Sequence, residues 1–262
     1  YASYAPYEDV QLLAGKMKNP YQCSDLTWGA DVRPEGIAVN VTSNIMEDMN
    51  TALKLTLGYF NVYNSATGSN EDINLFAPQI GATTKFDNDY TLDLAVAMYT
   101  FDNYKGTSAA TLQEDRGGNT TSGGLIANDF SVLNPMIKLD APSVLDAIDI
   151  PFGVYAEMLE NSEADDNSSG YRIGLRIGMA KLKEVNDWNF VYELSRLEAD
   201  AFPDAFGDAS WGPIGTDTKG SKLSLSYQLA KNFGIGLTYF DLSKISADSD
   251  KTIGQLDFNV KF

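Results

Sequence analysis

The chain has 262 residues, of which 44% are hydrophobic and 11% aromatic, so it can bury a core and does not have the composition of a disordered protein. Its net charge of −17 argues against a nucleic-acid partner, and the absence of histidine removes the commonest general base and metal ligand. No segment approaches the roughly 18 apolar residues of a membrane helix, which excludes a helical membrane protein but leaves a membrane β-barrel open.

Apolar and polar residues alternate along most of the chain, and a period of two predicts strands with one apolar and one polar face. Tyr171, Ile173 and Leu175, for example, alternate with Arg172 and Arg176. We predict thirteen strands, at residues 1–6, 9–17, 37–44, 52–64, 75–87, 90–105, 130–141, 150–161, 171–183, 189–201, 221–230, 233–245 and 252–262. The chain is therefore predicted to be all-β and to form a single domain over residues 1–262.

The connections between these strands alternate in length, as they do in bacterial barrels with short periplasmic turns and long extracellular loops. If the last strand ends at the periplasm, the extracellular loops are residues 18–36, 65–74, 106–129, 162–170, 202–220 and 245–251. Five of these six segments are longer than the turns on either side. The pattern predicts a transmembrane antiparallel β-barrel.

Aromatic residues lie near the predicted strand ends, where a barrel carries aromatic girdles at both membrane interfaces. Trp188 and Phe233 are expected at the periplasmic edge. The extracellular edge is expected to hold Tyr63, Phe101, Tyr104, Phe130, Tyr171 and Tyr239. A soluble β-sandwich with aromatic residues in its core is the alternative, and solubility without detergent would establish it.

The last strand is apolar on one face, through Leu256, Phe258 and Val260, and the chain stops on Phe262. Such a strand resembles the closing strand of outer-membrane barrels. In those proteins the terminal aromatic strand is the signal that the assembly machinery reads, and the resemblance assigns this role to Phe258 and Phe262.

Further stretches carry a resemblance to one family: Leu12 to Tyr21, Arg33 to Gly36, Asp187 to Ala205, Thr218 to Gly220 with Tyr227, and Gln255 to Phe262. In this order and spacing they resemble the putative porin family of Gram-negative outer membranes, which is similar to the 16-stranded general trimeric porins. The resemblance implies a homotrimeric outer-membrane diffusion channel without enzymatic activity or cofactor. It also implies about three strands before a segment like residues 1–6, so the thirteen strands are expected to belong to a barrel of sixteen.

Residues 18–36 resemble the third extracellular loop of porins, which folds into the lumen and narrows the pore. This segment contains Asp25, Asp31 and Glu35, together with Trp28 and Tyr21. Carboxylates at a constriction attract cations and repel anions. An ordinary solvated loop is the other interpretation, and both are open at this stage.

Strand parity places a set of basic side chains on the lumen wall: Lys54, Lys85, Lys138, Arg172, Arg176 and Lys222. Porins of the general type set such a wall against acidic loop residues. The two arginines are the strongest candidates, because they share one face of the clearest strand. They are equally expected to pair with wall carboxylates, namely Asp93, Glu157, Glu193 or Asp257.

No metal site is predicted, because the acidic segments 163–167 and 248–250 lack a calcium-binding spacing. These charges are expected to be solvated or bridged to lipopolysaccharide by divalent ions. The single Cys23 cannot form an intramolecular disulfide, and a buried or loop-packed thiol is the simplest interpretation.

Two functions follow from the sequence. The first is a passive outer-membrane pore for small hydrophilic solutes and ions, with a weak preference for cations that neutralising Asp25, Asp31 and Glu35 together is expected to reduce. The second is a structural or receptor barrel that binds a partner through residues 106–129 and 202–220.

Overall fold

The computed structural model describes residues 1–46, 50–64, 72–112, 118–143, 149–207 and 215–261. The strands are β1 (Ala2–Tyr7), β2 (Val10–Lys16), β3 (Glu35–Met46), β4 (Thr51–Tyr63), β5 (Ile73–Lys85), β6 (Thr91–Asp102), β7 (Thr121–Ser122), β8 (Leu125–Ile126), β9 (Phe130–Ala141), β10 (Phe152–Asn161), β11 (Ser169–Gly178), β12 (Trp188–Leu197), β13 (Thr218–Ala230), β14 (Phe233–Lys244) and β15 (Asp250–Val260). Thirteen of them form one antiparallel sheet in chain order, which confirms the thirteen predicted strands, while β7 and β8 form a separate hairpin. A short helix, α1 (Ala109–Leu112), and a 3-10 turn (Asp204–Phe206) complete the described structure. None of the helices described here has the length and hydropathy that crossing a membrane requires.

The connections at the two ends of the sheet differ in length. One end, called here the loop end, carries residues 17–34, 64–72, 103–129, 162–168, 198–217 and 245–249. The opposite turn end carries residues 8–9, 47–50, 86–90, 142–151, 179–187 and 231–232. The predicted alternation holds except at 162–168, which is shorter than both of the turns beside it.

The sheet curls around the connection between β2 and β3. Tyr21 of this connection contacts β5, and Asp25 contacts β11 and β13. Four residues reach at most about 14 Å, whereas β5 and β13 would lie about 29 Å apart in a flat sheet, at six strand spacings of about 4.8 Å. One short segment that touches β5, β11 and β13 indicates a curved sheet, with a concave face that holds this connection and a convex face outside.

The convex face is apolar along whole strands. Leu55, Leu94, Ile137, Ile173 and Leu237, from five different strands, are all exposed on it. Because side chains alternate between the two faces of a strand, their neighbours in sequence point to the concave side. An exposed apolar band with a mainly polar inner face is the pattern of a membrane-spanning sheet.

An aromatic core fills the concave side at the loop end. It includes Tyr21, Trp28, Phe60, Tyr99, Phe101, Tyr104, Phe130, Phe202 and Phe206. Phe101, Tyr104 and Phe130 were expected at a membrane girdle, but they are at most 3% exposed and pack edge to face against one another. That prediction is wrong because these side chains point inward, where distant loops supply partners. Tyr171 and Tyr239 are exposed on the convex face, as predicted.

The connections 103–129 and 198–217 are joined by buried polar groups. The Asn119 amide donates to the carbonyls of Ala199 and Phe202 at 2.7 and 2.9 Å. The buried carboxylate of Asp200 accepts the backbone N–H of Thr120 at 2.9 Å. Separating a buried carboxylate from its hydrogen-bond donors is costly, so the described parts of these two connections form one layer over the concave side.

Several strand ends differ from the prediction, and at two of them the backbone shows why. Gly178 has a φ of +93° and ends β11, although the alternation continues through Met179 and predicted a strand to residue 183. Asn103 has a φ of +62° and ends β6, which was predicted to reach residue 105. A residue with positive φ interrupts a strand without disturbing the hydrophobic pattern.

The last strand is an edge of the sheet within the described part of the chain, where it pairs with β14 on one side. Phe258 lies exposed on its convex face and stacks on Phe233, with ring centroids 6.4 Å apart. Phe262, the other residue of the predicted assembly signal, lies outside the described residues.

Candidate functional site: a loop inserted across the concave face

The connection between β2 and β3, residues 17–34, is called here the inserted loop. Its first part is fixed to β4 and β5. The Tyr21 hydroxyl donates to the carbonyl of Ala77 at 2.6 Å, and the Lys54 ammonium donates to the carbonyl of Pro20 at 2.8 Å. Gln79 exchanges two hydrogen bonds with the backbone of Gln22, at 2.6 and 2.8 Å. Backbone atoms of the inserted loop are thus bound by the side chains of Lys54 and Gln79 on the wall.

Asp25 fixes the inserted loop to the opposite wall. Its carboxylate forms ion pairs with Arg172 of β11 and with Lys222 of β13, the latter at 3.0 Å. Arg172 and Lys222 project into the concave side because they alternate with the exposed Ile173 and Leu223. The inserted loop therefore bridges two walls of the curved sheet.

A cluster of charges surrounds this contact. Arg172 Nε lies 3.0 Å from Glu157, and Arg172 Nη1 lies 3.1 Å from Glu193. Lys222 Nζ lies 3.1 Å from the second oxygen of Glu193. Three carboxylates thus face two cations, and the Glu157 side chain is only 3% exposed. In such a weakly solvated place an excess carboxylate produces a stronger field than it would in bulk water.

Tyr155 extends the cluster along β10. Its hydroxyl donates to Glu193 at 2.5 Å, and the Arg172 guanidinium lies 5.1 Å from its ring centroid. The ring covers Gly174 on the neighbouring strand, where a Cβ would overlap it. Glycine at this position allows the tyrosine to lie flat across the wall and reach Glu193.

The remaining predicted basic residues lie apart from Asp25. Lys138 and Arg176 both pair with Asp140, at 2.5 and 2.6 Å. Lys54 contacts the inserted loop through Pro20, and Lys85 lies at the turn end of β5. The predicted basic residues therefore form separate groups at different positions along the strands. Strand parity predicts the face on which a side chain lies but not its position between the loop end and the turn end.

The predicted acidic and aromatic loop residues also separate. Of the three carboxylates, Asp25 reaches Arg172 and Lys222. Asp31 in the loop and Glu35 at the start of β3 are exposed, and no ion pair joins either one to another described residue. Trp28 and Tyr21 are buried and stacked, with centroids 6.1 Å apart. Burial raises the pKa of the Tyr21 hydroxyl, so it stays protonated as the donor to Ala77.

The sequence named Glu157 and Glu193 as possible partners of the wall arginines, and Arg172 pairs with both. It did not single out Tyr155, Gln79 or Asp140. Parity was the available signal for Tyr155 and Asp140, because they share a strand face with Glu157 and Lys138. Nothing local marked Gln79, whose partner Gln22 is 57 residues away in sequence.

Substituting Gly58 is expected to displace the inserted loop. A Cβ at this position would overlap the Tyr21 hydroxyl and the Phe60 ring. Gly58→Val should therefore detach Tyr21 from Ala77 and raise the conductance and current noise of the reconstituted protein. Gly254→Ala is the matched control, because nothing lies within 4 Å of a Cβ there. Equal conductance in both variants would show that the inserted loop does not limit flow.

The curved antiparallel sheet, its exposed apolar band and a long connection folded into its concave side define an outer-membrane barrel-type protein. A family model described as "Putative porin" matches residues 1–133 and 137–262. The chain belongs to this porin family, and its location is the bacterial outer membrane.

Solved structures of outer-membrane proteins share the fold. OmpT of Vibrio cholerae, in a form lacking loop L8, is similar with a TM-score of 0.50 and 13% identity, over 96% of this chain and 76% of that one. The KdgM porin in complex with disordered oligogalacturonate gives 0.34 and 12%, over 86% and 91%. LpxR from Salmonella typhimurium gives 0.36 and 9%, over 86% and 88%. The similarity to OmpT supports the fold, and no curated protein matches the chain.

Proposed function

We propose that this chain forms a passive diffusion pore for small hydrophilic solutes and ions, without enzymatic activity, in which the inserted loop narrows the passage. The observation that carries the proposal is the attachment of the loop to two walls. Gln22 of the loop binds β5, and Asp25 of the loop binds β11 and β13. A loop fixed in this way narrows the lumen without depending on a ligand. The family resemblance further supports a closed barrel of sixteen strands and a homotrimer.

We propose a weak preference for cations. The cluster around Asp25 holds three carboxylates against two cations, and the second group, Lys138, Arg176 and Asp140, is close to Asp93. With every carboxylate ionised, the two groups together favour cations by about one charge. Asp31 and Glu35 are proposed to add a weaker, long-range contribution, because solvent screens exposed charges.

Swelling of liposomes tests the pore directly. Reconstituted protein should admit small neutral sugars at rates that fall steeply with solute size. Gly58→Val should shift this size limit upward. If liposomes that contain the folded protein do not swell in any sugar, the proposed pore function is wrong.

A structural or receptor barrel is the second candidate. The aromatic core and the joined connections 103–129 and 198–217 favour it, because they close part of the loop end. A barrel of this kind would show no conductance, and its function would depend on the surface of those connections. The swelling experiment separates the two candidates.

Two partners of this chain are proposed in the outer membrane, lipopolysaccharide and the assembly machinery. Arg196 and Lys219 are directly opposite on the convex face near the loop end, and like charges in this position destabilise a strand pair unless an anion intervenes. Glu198 accepts a hydrogen bond from Arg196 at 3.0 Å, while Lys219 is exposed. We propose that lipopolysaccharide phosphates approach this pair, and that the assembly machinery reads Phe258 and Phe262.

A further inference from the structure

A cavity of about 240 Å³ lies on one side of the inserted loop. Its lining includes Cys23 from the loop, Asp93 of β6, Lys138 of β9, and Tyr155 and Glu157 of β10. The loop meets β5 at Gln22 and β11 at Asp25, and β6, β9 and β10 are the strands between these two contacts. The cavity is therefore framed by Gln22, Cys23 and Ser24 of the loop on one side and by four strands, β6, β9, β10 and β11, on the other.

The opposite side of this part of the loop is closed by the aromatic core. Tyr21 packs against Phe60 and Tyr99, with centroids 6.1 and 6.0 Å apart, and both contacts are edge to face. Trp28 packs in the same way against Phe206, at 5.1 Å. An ion cannot pass between rings in contact, so no route runs between Tyr21, Trp28 and the rings that they touch.

The cavity has the chemistry of a passage for polar solutes. Lys138 is 42% exposed in its side chain, and Asp93 lies directly opposite it on β6. Asp93 accepts a hydrogen bond from Thr83 at 2.6 Å, which fixes the orientation of its carboxylate. Cys23 is exposed between these charges and the loop backbone.

We infer that permeating ions cross the protein beside the inserted loop, through this cavity, and that Cys23, Lys138 and Asp93 help to determine which ions pass. The inference rests on the proposed pore function and adds its route. The solutes it fits are small and hydrophilic, with monovalent cations passing more readily than anions of the same size.

Cys23 makes the route testable, because it is the single cysteine of the chain. A methanethiosulfonate reagent carrying a quaternary ammonium transfers its group to the thiolate with loss of sulfinate, and one carrying a sulfonate does the same with opposite charge. The cationic group should at least halve the conductance and shift the preference toward anions. The anionic group should also lower the conductance but strengthen the preference for cations.

The variant Cys23→Ser should respond to neither reagent. A matched control places the thiol elsewhere on the same loop, with Asp31→Cys added to Cys23→Ser. Asp31 is exposed but does not line the cavity. This variant should be labelled, as measured by mass, with little change in conductance.

The labelling rate gives a second readout of the location. Although Cys23 is exposed to the cavity, the protein around it displaces water and raises the pKa of its thiol to about 12. Glu157 and Asp25 add to this shift, and Arg172 and Lys54 oppose it. The thiolate is the reactive form, so labelling should rise about tenfold from pH 9 to pH 10. The thiol introduced at residue 31, with an ordinary pKa near ~8.5, should already be close to its maximal rate.

The possible outcomes separate the route from the pore itself. Protein that conducts and responds to reagent charge in opposite directions supports the route. Protein that conducts and is fully labelled at Cys23 without any change in conductance or selectivity would overturn the route and leave the pore intact. Protein that never conducts, labelled or not, would overturn the proposed function.

Discussion

Replacing Asp25 with asparagine is expected to lower the cation preference of the pore about fivefold. A unit charge about 8 Å from the path, in water, changes the energy of a passing ion by ~0.5 kcal/mol. Cations lose this stabilisation and anions gain it, so the permeability ratio changes by ~1 kcal/mol, which is about fivefold. The measurement is the reversal potential of the variant in a salt gradient, compared with that of the unmodified protein.

The same substitution should also loosen the inserted loop. Asp25 contributes the ion pairs with Arg172 and Lys222, and asparagine keeps its shape without the charge. The contacts of Tyr21 and Gln22 with β5 remain, so we expect a moderate rise in conductance and more current noise rather than loss of the barrel.

Asp31→Asn in the inserted loop and Glu35→Gln at the start of β3 are the matched controls, because each removes one exposed carboxylate that forms no ion pair with another described residue. Each should change the permeability ratio less than twofold. If either control changes the permeability ratio as much as Asp25→Asn does, the overall charge sets the ion preference and the position of Asp25 against Arg172 does not.

Replacing Arg172 with methionine is expected to have the largest effect on stability. Arg172 is 12% exposed and pairs with Asp25, Glu157 and Glu193. Removing one partner from a buried ion network leaves uncompensated charge, and we expect the free energy of unfolding to fall by about 3 kcal/mol. Urea unfolding in lipid vesicles, followed by tryptophan fluorescence and gel mobility, measures the change.

Arg196→Met provides the comparison within the same sheet. Arg196 is 34% exposed and pairs with Glu198 alone among the described residues, so its removal should cost less than about 1 kcal/mol. Adding Glu157→Gln to Arg172→Met should restore part of the lost stability, because it removes one of the stranded carboxylates. Equal losses for the two arginine variants would contradict a buried network at Arg172.

Strands were predictable because their signal is local. The strand β9 (Phe130–Ala141) has the predicted bounds, since alternation needs only the residues within it. The end of β11 was not predictable, because the left-handed backbone at Gly178 leaves the alternation unchanged. The alternation of side chains between the two faces of a strand correctly placed Arg172 and Lys222 on the concave side.

The contacts of the site depend on partners that no local pattern identifies. Asp25 meets Arg172 across 147 positions and Lys222 across 197 positions of the chain. Asp31 and Glu35 carry the same charge as Asp25, and nothing local in the sequence shows which of the three reaches Arg172 and Lys222. Phe101 and Phe130 were assigned to a membrane girdle for the same reason, because Phe202, which packs against Phe101, lies in a distant connection.

The reversal potential of the unmodified protein in a planar bilayer, under a tenfold gradient of potassium chloride, tests the central claim most directly. The loop fixed by Asp25, with its excess of carboxylate, predicts an open channel whose reversal potential has the sign of a modest cation preference. A stable open channel that prefers anions, or a folded protein that does not conduct, would contradict it.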